Sequence, residues 1–178
     1  MLYCFKINSH VVIKYVGKVP LKYKIYNMIT IEDFKIKQSN KVRFIGLDLG
    51  SKRIGVSICD ERQSIATPFK TINKTNTNEL IDRLKLIIVE NNIGGIIVGN
   101  PINMDGSLGS SAQSVNDVAS NISKSIDLPV ILWDERLSTV AAFNLSSLLD
   151  VNVSKRVKTI DQNAAAFILQ GAIDFLNN

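Results

Sequence analysis

Residues 42–60 read VRFIGLDLGSKRIGVSICD, and their pattern decides the fold. An apolar run carrying Asp48 near its end is joined by the Gly50-Ser51-Lys52 turn to a second apolar run ending in Asp60. Two strand-like runs around so short a glycine-containing turn read as a β-hairpin. Downstream, SIATPFKTI (64–72) reads as a third strand, which Pro68 moves to a sheet edge. Residues 77–92 then change period, with Leu80, Leu84, Ile87 and Ile88 on one helical face, stopped by Asn91-Asn92 and Gly94-Gly95.

The chain continues as IGGIIVGNP (93–101), a short buried strand ended by Pro101. The polar loop NPINMDGSLGSS (100–111) leads into a helix of about residues 111–126. VILWD (130–134) is another buried strand, with a helix expected straight after it from Glu135. Residues 151–160, VNVSKRVKTI, read as a basic connection. A last helix starts at Asp161, with Ala165, Ile168, Ala172 and Phe175 on one face. Paired strands followed by strands alternating with helices make an α/β fold, helices layered over a mixed sheet.

Upstream of the hairpin, residues 28–44 (MITIEDFKIKQSNKVRF) offer Thr30 as a helix cap before Glu32 and Asp33. Residues 1–27 differ in character, with Lys6, Lys14, Lys18, Lys22 and Lys24 and no acid, and suit one or two edge strands at most. We expect an N-terminal extension over 1–27 and the functional domain over 28–178. The formal net charge of +5 sits wholly in that extension, leaving 16 bases against 16 acids beyond it. The basic balance therefore says little about a nucleic-acid partner, and local clusters must carry that argument.

With 178 residues, 46% hydrophobic and 21% charged, the composition is that of a globular domain with a full core. No apolar run reaches the roughly 18–20 residues that cross a bilayer, and no secretory signal is evident. The two cysteines, Cys4 and Cys59, are not expected to form a bridge. The expectation is a reduced, cytoplasmic protein.

Chemistry is reached by elimination. The one histidine, His10, lies in the extension, so serine and cysteine triads are unsupported. Neither nucleotide-binding glycine motif is present, nor a Cys/His cluster for zinc. Acids remain. Asp48 ends the first strand, Asp134-Glu135 follow a later one, and Asp161 opens the last helix. Like charges gathered at about 4 Å repel by roughly 4 kcal/mol per pair at an effective dielectric near 20. A divalent cation resolves that conflict, and an all-oxygen site favours Mg²⁺ or Mn²⁺. Each acid also has a structural role open to it: Asp161 as a helix cap, Asp48 as a turn residue, and Asp134 or Glu135 as a partner of Arg136.

At these residues the chain resembles a known family. FIGLDLGSKRIGVSICD, IIVGNPINMDGS, LWDERLSTVAA and KTIDQNAAAFILQGAIDFL, in that order over about residues 42–176, are similar to the signature blocks of the YqgF/RuvX family. Its members are described as pre-16S ribosomal RNA processing nucleases, and formerly as Holliday junction resolvases. The resemblance implies an RNase-H-like fold, a mixed five-stranded sheet with helices on both faces. It implies catalytic, metal-holding acids at Asp48, Glu135 and Asp161, in a two-metal scheme with Mg²⁺ or Mn²⁺. Asp134 remains the alternative to Glu135, because neighbours on a strand face opposite ways. Asn100 and Ala141 depart from the family pattern, which has an apolar residue and an acid there.

Substrate contacts are expected from Lys52, Arg53, Arg136, Lys155, Arg156 and Lys158, with Asn103 in the polar loop. A nucleic-acid partner follows, RNA favoured over DNA, with a homodimer as one option and no membrane. A non-catalytic RNA-binding ribosome-assembly factor and a DNA junction resolvase stand as alternatives. An actin-type ATPase needs two such domains, and the chain is too short for both.

Overall fold

Alternation along one strand organises the whole molecule. In the computed structural model, β3 (Arg43–Leu49) sends Ile45 and Leu47 to one face of a sheet and Phe44, Gly46 and Asp48 to the other. The structure describes the backbone of residues 3–7, 10–14, 28–37, 42–73, 76–137 and 153–178, and side chains within 28–34, 42–73, 76–136 and 164–178. The elements are β1 (Tyr3–Ile7), β2 (His10–Lys14), α1 (Ile31–Lys37), β3, β4 (Arg53–Cys59), β5 (Ala66–Asn73), α2 (Thr77–Asn91), β6 (Ile93–Asn100), α3 (Ser110–Ser125), β7 (Val130–Asp134), a 3-10 turn (Glu135–Leu137) and α4 (Val153–Asn177). Among the described residues no helix is long and apolar enough to cross a membrane.

β1 and β2 form a separate antiparallel pair. The main sheet has five strands in the order β5-β4-β3-β6-β7. β3, β4 and β5 are antiparallel neighbours, while β6 and β7 join β3 in parallel, so the sheet is mixed. Pro68 lies in β5 at the sheet edge, where a missing N–H is tolerated. Thr30 caps α1, its Oγ1 accepting from the Asp33 N–H at 3.1 Å. Phe34 from that helix is buried against Phe44, ring centroids 5.0 Å apart. The segment from Met28 onward is thus built into the domain, and the Ile29 N–H donates to the Val130 carbonyl at 3.1 Å.

The two faces are packed differently. On one, Ile45, Leu47, Ile54, Val56, Ile96 and Val98 meet Leu80 and Leu84 of α2 and Val115 and Ile122 of α3. On the other, Phe44, Ile97, Ile131 and Trp133 meet Ile168, Leu169, Ala172, Ile173 and Leu176 of α4. Here the sheet is thinned by glycine. A Cβ at Gly46 would lie 2.7 Å from Leu169 Cβ and 2.9 Å from the Ala165 carbonyl oxygen, and would collide with Ser57 Oγ. Ser57 is fully buried and donates its hydroxyl to that same carbonyl at 2.7 Å. Helix and sheet therefore approach more closely than side-chain layers ordinarily permit.

Three expectations are corrected. The last helix begins at Val153, eight residues before Asp161, so the basic stretch Lys155-Arg156-Lys158 forms its first turns rather than a connection. Thr159 and Ile160 continue the turn into Asp161 without a breaker, which is why no cap is needed there. The chain leaves β7 through a 3-10 turn over Glu135–Leu137 rather than directly as an α-helix; residues 138–152, with Ala141, lie outside the described residues. The buried stripe of α4 runs through Ala165, Ile168 and Ala172 as expected, joined by Leu169, Ile173 and Leu176, whereas Phe175 is its half-exposed margin, packed edge-on against Trp133 at 6.0 Å.

Candidate active site

Asp48 and Glu135 come from strands that are not neighbours, with β6 between them. Parallel pairing puts Leu47 beside Val98, so Asp48 stands one step on, level with Gly99. Gly99 in turn pairs with Trp133, two residues before Glu135. The Glu135 carboxylate folds back over Gly99: a Cβ there would lie 2.5 Å from its Oε1. Strands are spaced about 4.8 Å apart, so this lean carries Glu135 across β6 towards Asp48. Its electrostatics agree. Burial, then the charge of Asp48, then that of Asp134, push the Glu135 carboxyl above its ordinary value.

The neighbouring acid goes the other way. Asp134 continues the alternation of Val130 and Leu132, which face α2 and α3. Arg136 donates to it through Nε at 3.0 Å and Nη2 at 2.6 Å, and the Arg136 guanidinium holds its carboxyl below the usual range. The strand period thus separates the two: Asp134 is paired with a base, and Glu135 faces an acid.

Asp161 lies on α4, and its side chain is outside the described residues. Its height along the site still follows from backbone geometry. Asn177 Nδ2 donates to the Gln63 carbonyl, and Gln63 Nε2 donates to the Val42 carbonyl, so the helix ends at the start of β3. Ala165 and Leu169 cross β3 at Gly46. From Gly46 to Asp48 is about 6.6 Å of strand. From Ala165 back to Asp161 is one helical turn, about 6 Å. Asp161 is therefore level with Asp48 on the helix that covers the same face.

The expected substrate contacts divide into two groups. Lys52 and Arg53 are exposed in and after the turn following Asp48. Gly50 is required in that turn, since a Cβ would lie 2.5 Å from the Arg53 carbonyl oxygen. Lys155, Arg156 and Lys158 precede Asp161 on α4, with side chains outside the described residues. Asn103 and Arg136 are engaged within the protein. Asn103 Nδ2 donates to Ser107 Oγ at 2.9 Å, and Arg136 is held by Asp134. Sequence reasoning did not foresee Gly99, whose missing side chain leaves room for Glu135; its position before Asn100-Pro101 reads only as part of a strand.

A carboxylate whose charged form is disfavoured first by burial and then by the charge of Asp48 makes, with Asp48, a hard-oxygen donor set that a divalent cation fits. Among the described residues no group of three metal-ligating side chains gathers. Cys59 is a buried free thiol bonded to the Phe44 N–H at 3.0 Å, its pKa raised by burial, and it takes no part.

Comparison with known proteins identifies the family. Residues 42–175 match the family model described as "RuvX: Holliday junction resolvase". A protein of Pelagibacter ubique named "Putative pre-16S rRNA nuclease" is 94% identical over 151 residues, 85% of this chain and 100% of its own length. A protein of the same name from Cereibacter sphaeroides is 45% identical over 83% of this chain and 92% of its own. Among solved structures, T. thermophilus RuvC in complex with Holliday junction substrate aligns with a TM-score of 0.51 at 12% identity, over 74% of this chain and 93% of that one. At that identity the likeness supports the RNase-H-like fold alone.

Proposed function

The chain belongs to the RuvX family, and from that premise we propose that it is a metal-dependent nuclease that hydrolyses phosphodiester bonds, acting at the 5′ end of pre-16S rRNA. The observation that carries the reading is the lean of Glu135 over Gly99, the residue level with Asp48 on the adjacent strand, with the Glu135 pKa raised by burial and then by the Asp48 charge. Burial and the Asp48 charge both disfavour the charged form of Glu135, a cost that a bound divalent cation would offset.

Asp48, Glu135 and Asp161 would hold two Mg²⁺ or Mn²⁺ ions. When bound, such ions supply an activated water and charge neutralisation on the phosphate. The chain's own residues set the geometry. Gly99 leaves the space into which Glu135 leans, and Gly46 with Ser57 seats α4 so that Asp161 comes level with Asp48. Lys52, Arg53, Lys155, Arg156 and Lys158 would line the path of the phosphate backbone on either side of the acids. With Trp133 buried, recognition rests on backbone and shape rather than on base stacking.

A second reading, cleavage of DNA four-way junctions, is favoured by the description of the matched family. Purified protein is incubated with precursor 16S RNA and with a four-way junction, each with Mg²⁺, Mn²⁺ or EDTA. The rRNA reading expects metal-dependent cleavage of the RNA that is lost in Asp48→Asn, with binding retained. Preferential cutting of the junction would replace it with the second reading, and such an enzyme would work as a dimer to cut two strands symmetrically. Binding with no cleavage of either substrate would favour an assembly factor.

The functional domain would start near Met28 and work in the cytoplasm. In support, the 94% identical relative is matched over its whole length by 151 residues, the number in 28–178. A native peptide from residues 6–24 in mass spectrometry would overturn that start.

A further inference from the structure

We propose that Asp134 and Arg136 act as one positioning unit, which clamps the loop after β6 to the end of β7 and thereby sets the direction of Glu135 between them. The inference deepens the nuclease reading at the same site and rests on it.

The clamp is built from the turn outward. Asp134 Oδ1 accepts from the Arg136 backbone N–H at 3.0 Å, closing the chain into the 3-10 turn that carries Glu135. Both Asp134 oxygens then take the guanidinium, at 3.0 Å from Nε and 2.6 Å from Nη2. A planar fork matched to a carboxylate fixes orientation as well as distance, which a lysine would not do. The remaining edge of the fork reaches the other way, with Nη1 donating to the Asn103 carbonyl at 3.4 Å.

That carbonyl belongs to a loop bonded mainly to itself. The Gly106 N–H donates to it at 2.8 Å, and the Asn103 N–H donates to the Ser107 carbonyl at 3.1 Å. Asp105 Oδ1 accepts from the Ser107 N–H at 2.9 Å and from its hydroxyl at 2.6 Å. Gly106, at φ +84°, turns the loop so that Arg136 Nη1 passes 4.0 Å from where a Cβ would be. The amides of Asn103, Gly106 and Ser107 are therefore spent inside the loop rather than offered to phosphate. Arg136 likewise has its charge matched by Asp134 and stands near Asp105. An arginine kept for a phosphate would face outward with its fork free; this one ties a braced loop to the strand that delivers a catalytic acid.

The test uses the full chain with Arg136→Gln and Asp134→Asn, singly and together. Amide hydrogen exchange at Gly106 and Ser107 should quicken at least tenfold in each single variant and no further in the double, while the Leu84 amide, buried on the opposite face, stays protected. In single-turnover cleavage of whichever substrate the wild type cuts with Mg²⁺, the maximal rate should fall at least tenfold and the half-saturating protein concentration stay within twofold. Nucleic-acid binding in EDTA should keep its salt dependence. Unchanged loop exchange would overturn the clamp. So would weaker binding of Arg136→Gln with a salt slope shallower by about one unit, accompanied by tighter binding of Asp134→Asn, the signature of a direct phosphate contact. If the wild type cuts nothing, the nuclease reading fails, and the exchange rates still decide the clamp.

Discussion

The two faces of the five-stranded sheet are made from alternate residues of the same strands, yet they are built to different ends. The face under α2 and α3 is packed with Ile45, Leu47, Val56, Ile96 and Val98, bulky branched side chains that hold the helices off by a full layer. Under α4, Gly46 and Gly99 interrupt that layer, a buried serine bonds a helix carbonyl, and two acids stand at its end. One face is filled for stability, and the other is emptied so that distant charges can be brought close. Half-burying Glu135 beside another acid costs folding free energy, and the filled face helps to supply it.

That division can be broken by mutation. Leu84→Ala on the filled face should cost about 2–5 kcal/mol through the cavity it leaves, measured by urea unfolding. Cleavage per folded molecule should not change, and a parallel loss of both would deny that the faces are separable. Gly46→Ala on the emptied face should cost about 1–3 kcal/mol by overpacking. Here activity should collapse further than stability, because the helix displaced by the methyl also carries Asp161.

Asn100 sharpens the contrast. It lies on the α2/α3 side by strand alternation and is buried, and its Oδ1 has no hydrogen-bond partner among the described residues. Asn100→Val should therefore stabilise the protein, by about 1 kcal/mol, since an unmet buried acceptor costs about 1–3 kcal/mol. No gain in the unfolding midpoint would mean that this face tolerates the amide. Glu135→Gln gives the smallest expected change in stability. Because its folded pKa is raised, the protein has its full stability below the ordinary glutamate value of 4.5 and loses some as pH rises through the folded pKa. In EDTA the glutamine variant should lose that decline. Solvent screening at the half-buried site keeps the gain at neutral pH to about 1 kcal/mol, or about 2–4 °C in Tm. An unchanged pH profile of Tm would argue that the acid pair is not in conflict.

Much of this was legible beforehand, and the reasons are local. Short apolar runs bounded by turn residues announce the strands of the main sheet, Thr30 announces its cap, and Pro68 announces an edge. The start of the last helix reads as a connection because the bases of VSKRVKTI dominate it, although Val153, Val157 and Ile160 already stand at helical spacing. Leu169 and Ile173 belong to a stripe that only the sheet beneath α4 selects, so Phe175 was placed inside it. For Arg136 the sequence offers both a phosphate contact and a pairing with Asp134 or Glu135, and only the folded turn shows its fork on Asp134.

By itself the sequence determined which residues form strands, that Asp134 and Glu135 must face opposite ways, and that acids are the reactive groups left. These follow from the geometry of a single strand and from side-chain chemistry, which act between near neighbours. Only the tertiary structure decided that Glu135, rather than Asp134, leans over Gly99 towards Asp48, and that α4 comes down on Gly46. Those outcomes depend on strand order and on the thickness of a packed layer, and both are set by residues far apart in the chain.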